Sequence, residues 1–331
     1  MKKKKKKYSI MLGGMILLLA LLVNSCGKDN ETTVQNFISI ADAVLVADDM
    51  PDASSDAEIT VQMGNKVIPG GSSFIKVNSP VEARKLYVAV KDQTGYYEIP
   101  VTTNNRDFIY DFVMIVNQGI DLGEADTFCI QVAILDAEGN VTRIWENNIS
   151  LITVGTGELQ ISMTFDQHKD IDLHLIEPEY GDEPYSYYQR HIYFGHRTSP
   201  NGGELDLDSN ADCSTSDVWA ENITYSDSAF VAPGLYKVYA VMWSNCSPQD
   251  MPTNVTVSVF YGGQLLATAN GVANPFVATF PADAPSTGSS LDMEPTLTFV
   301  IPDRGQRALK TFDPAPMTES ALEKMAMEEE F

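Results

Sequence analysis

The chain is short of positive charge. Its 331 residues carry 22 Lys and Arg against 45 Asp and Glu, a formal net charge of −23. Six of the lysines, Lys2 to Lys7, form one run, and removing that run takes the balance from −23 to −29. A surface so acidic repels nucleic acid and anionic headgroups, and no basic patch follows later in the chain. Nucleic acid is excluded as a partner. Histidine is scarce, with four between His168 and His196, and these show neither H-x-H nor H-x-x-x-H. Such close spacings are what a transition-metal site favours. The sequence also lacks the G-x-S-x-G, H-E-x-x-H, P-loop and G-x-G-x-x-G motifs of common enzyme classes. Its longest apolar stretch, Ile10 to Val23, is fourteen residues, against the roughly twenty that a spanning helix needs.

What is present begins with an address. The basic run Lys2–Lys7 followed by the apolar stretch reads as the n- and h-regions of a signal peptide over 1–25. It ends at Val23-Asn24-Ser25-Cys26, which resembles a bacterial lipobox. The resemblance implies cleavage before Cys26 and a lipid on its thiol. Gly27-Lys28-Asp29-Asn30-Glu31 follows and resembles the surface-export signal of Bacteroidetes lipoproteins. Together these imply an outer-membrane lipoprotein facing the cell surface, held by acyl chains that each add about 0.8 kcal/mol per buried methylene. Residues 26–35 read as the tether.

Four cysteines occur, and once Cys26 is acylated an odd number remains. Cys129 lies in the alternating run Phe128-Cys129-Ile130-Gln131-Val132 and reads as a buried thiol. Cys213 and Cys246 fall in polar, loop-like sequence and are expected to pair in an oxidising compartment.

The expected fold is all-β, two consecutive antiparallel β-sandwiches and a short C-terminal helix. Residues 36–154 show short β-rich runs separated by turn residues, with the hairpin loop Asp136-Ala137-Glu138-Gly139-Asn140 near the end. Strands are expected at 43–46, 59–61, 73–77, 85–90, 96–101, 108–116, 128–135 and 141–145. The pattern and the turn resemble immunoglobulin-like domains of bacterial surface proteins. Val154-Gly155-Thr156-Gly157 marks a boundary. A second sandwich over 155–302 opens on the alternating strand Leu159 to Phe165, with Gln160, Ser162 and Thr164 on its polar side. In the tail, 303–331, Ser320 and Glu323 make a capping box ahead of Ala321 to Met327.

The second domain carries a signature. It consists of Thr164-Phe165, Asp170-Ile171-Asp172-Leu173-His174-Leu175, Gly203-Glu204-Leu205-Asp206-Leu207-Asp208, Glu221-Asn222-Ile223-Thr224 and Pro233-Gly234-Leu235-Tyr236. In order and spacing it resembles the YfaP-like family of β-sandwich domains of unassigned activity, which implies a fold more than a chemistry.

Strand parity gives the signature a physical reading. If Ile171, Leu173, Leu205 and Leu207 enter the core, then Asp170, Asp172, His174, Glu204, Asp206 and Asp208 share the opposite face. Were the two strands neighbours, their carboxylates would raise each other's pKa unless a cation sat among them. Ca²⁺ is the natural candidate, with Asp170, Asp172, Asp206 and Asp208 as ligands and backbone carbonyls and Glu221 or Asn222 adding to them. The other reading is a solvated acidic face neutralised by Lys169, Arg190 or Arg197. Tyr185, Tyr187 and Tyr188, in a loop with acidic neighbours, are candidate sugar-stacking residues or simply packing ones.

For function the sequence points to a non-catalytic binding or adhesion module. It would hold the membrane through its N-terminal lipid and meet a glycan or another envelope protein. The alternative is a glycan-binding helper or carbohydrate-active enzyme of the outer envelope, since a glycosidase carboxylate pair leaves no short motif.

Overall fold

The computed structural model describes residues 32–101, 108–182, 184–214, 217–226 and 229–303. The lipidation site Cys26 and the helix expected at 321–327 lie outside them. The described chain is almost entirely β and forms two sandwiches, each around its own apolar core.

The first contains β1 (Ile38–Ile40), β2 (Val44–Val46), β3 (Thr60–Gln62), β4 (Lys66–Val67), β5 (Ser72–Asn78), β6 (Ala83–Val90), β7 (Tyr96–Pro100), β8 (Ile109–Val116), β9 (Thr127–Asp136) and β10 (Trp145–Leu151). One sheet runs β1-β8-β5-β3 and the other β2-β7-β6-β9-β10-β4. Alternate residues of each face inward: Ile75, Val77, Phe112 and Met114 meet Leu86, Val88, Ile130 and Val132. Among the described strands all pairings are antiparallel except β4 with β10, and Thr33 makes an isolated parallel bridge to Thr94. The strand expected at 141–145 lies instead at Trp145–Leu151, since Val141 keeps only an isolated bridge to Leu135 beyond the hairpin.

The second contains β11 (Leu159–Phe165), β12 (Asp170–Ile176), β13 (His191–Ile192), β14 (Gly203–Leu207), β15 (Ala220–Tyr225), β16 (Gly234–Ser244), β17 (Thr253–Tyr261), β18 (Gln264–Leu265), β19 (Phe276–Phe280) and β20 (Leu297–Ile301). One sheet runs β14-β15-β11-β17-β18 with β19 on β17, and the other β13-β12-β16-β20. Leu159, Ile161 and Met163 face Ile171, Leu173 and Leu175 across the core.

The polar side of β11 is not solvated. Gln160 and Ser162 are buried because this face packs on the Pro69–Ser72 segment of the first sandwich. Gln160 donates to Pro69 O at 2.7 Å, Ser258 to Gly70 O at 2.7 Å and Thr256 to Ser72 O at 3.0 Å. The two sandwiches meet largely through hydrogen bonds to backbone, joined by Gln118 Nε2, which donates to Gln160 Oε1 at 2.7 Å, and by the Lys66–Asp217 ion pair at 3.7 Å.

Candidate metal centre

β12 and β14 are not neighbours; they belong to opposite sheets. The acidic residues nevertheless converge, by a route that strand parity does not show. β13 pairs only with Leu175 and Ile176, which leaves the β12 edge beside Asp170 to His174 without a strand. β15 supplies a side chain there instead. Glu221 has the same parity as the core residues Ile223 and Tyr225, and its Oε2 accepts the edge N–H of Leu173 at 2.7 Å.

A bulge in β14 decides which aspartates join it. Leu205 pairs with Ile223 but Leu207 with Asn222, so Asp206 is the extra residue. Beyond the bulge the alternation restarts one residue out of phase. Asp206 therefore turns away from the centre, accepting from Asn222 Nδ2 at 2.8 Å and from Gly155 N–H. Leu207 loses its expected core place and is only half-buried. Asp208 swings inward beside Glu221. Of the carboxylates expected as ligands, Asp206 is thus removed.

One oxygen from each of Asp172, Asp208 and Glu221 lies within 4.8 Å of the other two. Asp170 borders the same cavity, of about 190 Å³, with Asp172 and Asp208. Asp172 is 4% exposed and Glu221 1%. Asp172 Oδ2, Glu221 Oε1 and Asp170 Oδ1 are all buried with no hydrogen-bond partner. Ionised carboxylates have no proton to offer one another, so the cluster cannot satisfy itself while charged. Burial, with Asp170 and Asp208 alongside, pushes the Asp172 carboxyl up to about 8. Burial likewise takes Asp170 up to about 6 and holds Glu221 well above the usual carboxylate range, with Asp172 its largest charged neighbour.

The three cations that might have neutralised this face are mostly engaged elsewhere. Lys169 Nζ donates to the carbonyls of Cys246 and Pro248, both at 2.7 Å. Arg190 pairs with Glu179 at 2.7 Å and donates to Glu177 O. Arg197 alone reaches the cluster, at 3.3 Å from Asp208. His174 Nε2 is 3.9 Å from Asp172 Oδ2, but burial drives this imidazole down to about 3, so it brings no charge. Its Nδ1 shares a 2.8 Å hydrogen bond with His191 Nε2.

A cation fits the donor set. Carboxylates alone select a hard ion, and oxygens at 2.3–2.6 Å from Ca²⁺ lie at most about 5 Å apart. The loop beneath is held in place. Asp212 N–H donates to Asp170 Oδ2 at 2.8 Å, and Cys213 and Cys246 are joined as a disulfide that ties this loop to the end of β16.

Tyr185, Tyr187 and Tyr188 are 45%, 54% and 60% exposed. Tyr187 packs on His191 and Tyr188 on His196, while Tyr185 lines a separate cavity with Arg190 and Phe230. Residues that sequence reasoning missed are Phe194 and Trp243, whose rings meet edge to face at 4.8 Å and wall the acidic cavity. An outward-facing Trp on a long strand was the available signal.

No protein-family model matches this chain, and no curated protein matches it.

Proposed function

We propose that this is a lipid-anchored protein of the outer envelope, displayed on the cell surface, which acts as a non-catalytic binding or adhesion module and holds Ca²⁺ at Asp170, Asp172, Asp208 and Glu221. The observation that carries the reading is the set of buried carboxylate oxygens with no partner, drawn from both sheets to one place. An ion bound only by the folded form stabilises it by RT ln(1 + [L]/Kd), about 2.7 kcal/mol at a hundredfold excess over Kd. The full chain in detergent should therefore melt higher in Ca²⁺ than in EDTA, and Asp172→Asn should abolish the difference. A melting temperature indifferent to both would leave the cluster as protonated side chains. The N-terminal lipobox supports the anchor: labelled palmitate should enter the wild type and not Cys26→Ala. Protease shaving of intact cells reads the orientation.

The exposed tyrosines favour a second reading, a glycan-binding helper or carbohydrate-active enzyme. A glycan array together with a screen of polysaccharide hydrolysis separates it: turnover would defeat a non-catalytic role, and sugar binding at the tyrosines without turnover would favour the helper.

A further inference from the structure

We propose that the Ca²⁺ held by this centre keeps coordination positions open to the neighbouring cavity, and that these take two adjacent hydroxyls of a single sugar ring stacked against Trp243 and Phe194. The inference rests on the cation reading above and names the ligand class of that same site.

Three observations on the molecule support it. Asp212 N–H, Leu173 N–H and Arg197 each occupy one oxygen of Asp170, Glu221 and Asp208, so the four carboxylates offer at most five free oxygens, whereas Ca²⁺ takes six to eight. The cavity is lined by Asp170, Asp172 and Asp208 but not by Glu221. Glu221 therefore closes the centre from the sandwich side, and the unfilled positions face the cavity.

The other wall of that cavity is aromatic. Trp243 and His174 both have the outward parity of their sheet, opposite to Met242 and Leu173 in the core. From Trp243 a run of ring contacts continues through Phe194, Tyr193 and His191 to Tyr187 at the surface. An apolar ring face beside a polar ion is what the two sides of a pyranose require: its C–H face stacks and its hydroxyls coordinate.

Charge selects against other ligands. Asp212 also lines the cavity, and Arg197 is the one cation beside the cluster among the described residues. Even with Ca²⁺ bound, the carboxylates leave a negative surplus that repels phosphates and carboxylates. A neutral polyol is compatible with this charge and with the aromatic wall. At about 190 Å³ the cavity is below the roughly 300–1,000 Å³ of drug-sized sites, so it suits one ring or the end of a chain.

The test is calorimetric titration of the full chain in detergent with mannose, fucose and galactose, in Ca²⁺ and in EDTA. Saturable binding of at least one sugar in Ca²⁺ and none in EDTA is expected. Trp243→Leu should weaken it by about tenfold, the equivalent of about 1.4 kcal/mol, while keeping the Ca²⁺-induced rise in melting temperature. That retained rise also reports that the variant is folded. Asp172→Asn should lose both. Binding that survives EDTA, or that ignores Trp243→Leu, overturns the inference. A Ca²⁺ response with no sugar bound also overturns it while leaving the cation reading standing. No Ca²⁺ response at all removes the cation reading, and this inference with it.

Discussion

Two buried glutamates show how differently this fold treats the same side chain. Glu177 accepts from Ser199 Oγ at 2.7 Å, from Asn201 Nδ2 at 2.8 Å and from the Tyr225 hydroxyl. Glu221 has one backbone donor for Oε2 and none for Oε1. An unsatisfied buried acceptor costs about 1–3 kcal/mol, more if charged, so the bare oxygen calls for a proton or a cation and the dressed one does not. Asp206 belongs with the dressed groups. Asp206→Ala should lower stability by about 1 kcal/mol and leave the Ca²⁺-induced rise unchanged, as thermal melts in Ca²⁺ and EDTA would show. The buried imidazoles add a pH signature. Burial, then His196, takes His191 from 6.5 down to about 4. The unfolded chain binds its proton below about 6.5 and the folded chain resists until about 4, so stability present above that window is lost as pH falls through it. Urea melts at pH 7.5 and pH 5 should show wild type losing more stability than His191→Gln.

At the scale of elements, the centre depends on an unpaired strand edge and one extra residue. Parity along β12 was legible from the sequence: Ile171, Leu173 and Leu175 are in the core and Asp172 is not. Parity along β14 was not, because a bulge is set by how its partner strand fits, and β15 lies outside the run being read. Glu221 was legible as a candidate only through the family resemblance. Its inward position follows from its register opposite Met163, which a local pattern does not contain. The disulfide acts at this scale. It closes a separation of 33 residues, and loop entropy alone makes such a link worth about 3–4 kcal/mol. Cys213→Ser with Cys246→Ser should lower the denaturant midpoint accordingly and weaken Ca²⁺ affinity, since the freed loop carries the N–H that holds Asp170.

Across the whole molecule, the junction between sandwiches explains a polar strand face that meets no solvent. Gly70 sits within it, with φ of 72° and an added Cβ only 2.5 Å from Gln160 Oε1. Gly70→Ala should cost about 1–2 kcal/mol for the left-handed backbone and more for the displaced glutamine. Gly139→Ala is the control, with φ of 91° and nothing within 4 Å of an added Cβ. Calorimetry should show the larger fall in melting temperature for Gly70→Ala; equal falls would mean that the junction contributes nothing.

In the sequence by itself, period-two patterning was enough for the fold class and for which residues of β11 and β12 face the core, and polar loop context was enough for the Cys213–Cys246 pair. Cys129, expected to be buried, is only half-buried because it alternates with the core residues Phe128 and Ile130 of β9. The tertiary structure decided what the polar residues do. It buried Gln160 and Ser162 against a neighbouring sandwich, sent Asp206 to Asn222, and brought Asp172, Asp208 and Glu221 together from two sheets. These outcomes depend on register, on a bulge and on which strand edge stays open. Such features belong to pairs of strands, and no single strand's sequence encodes them.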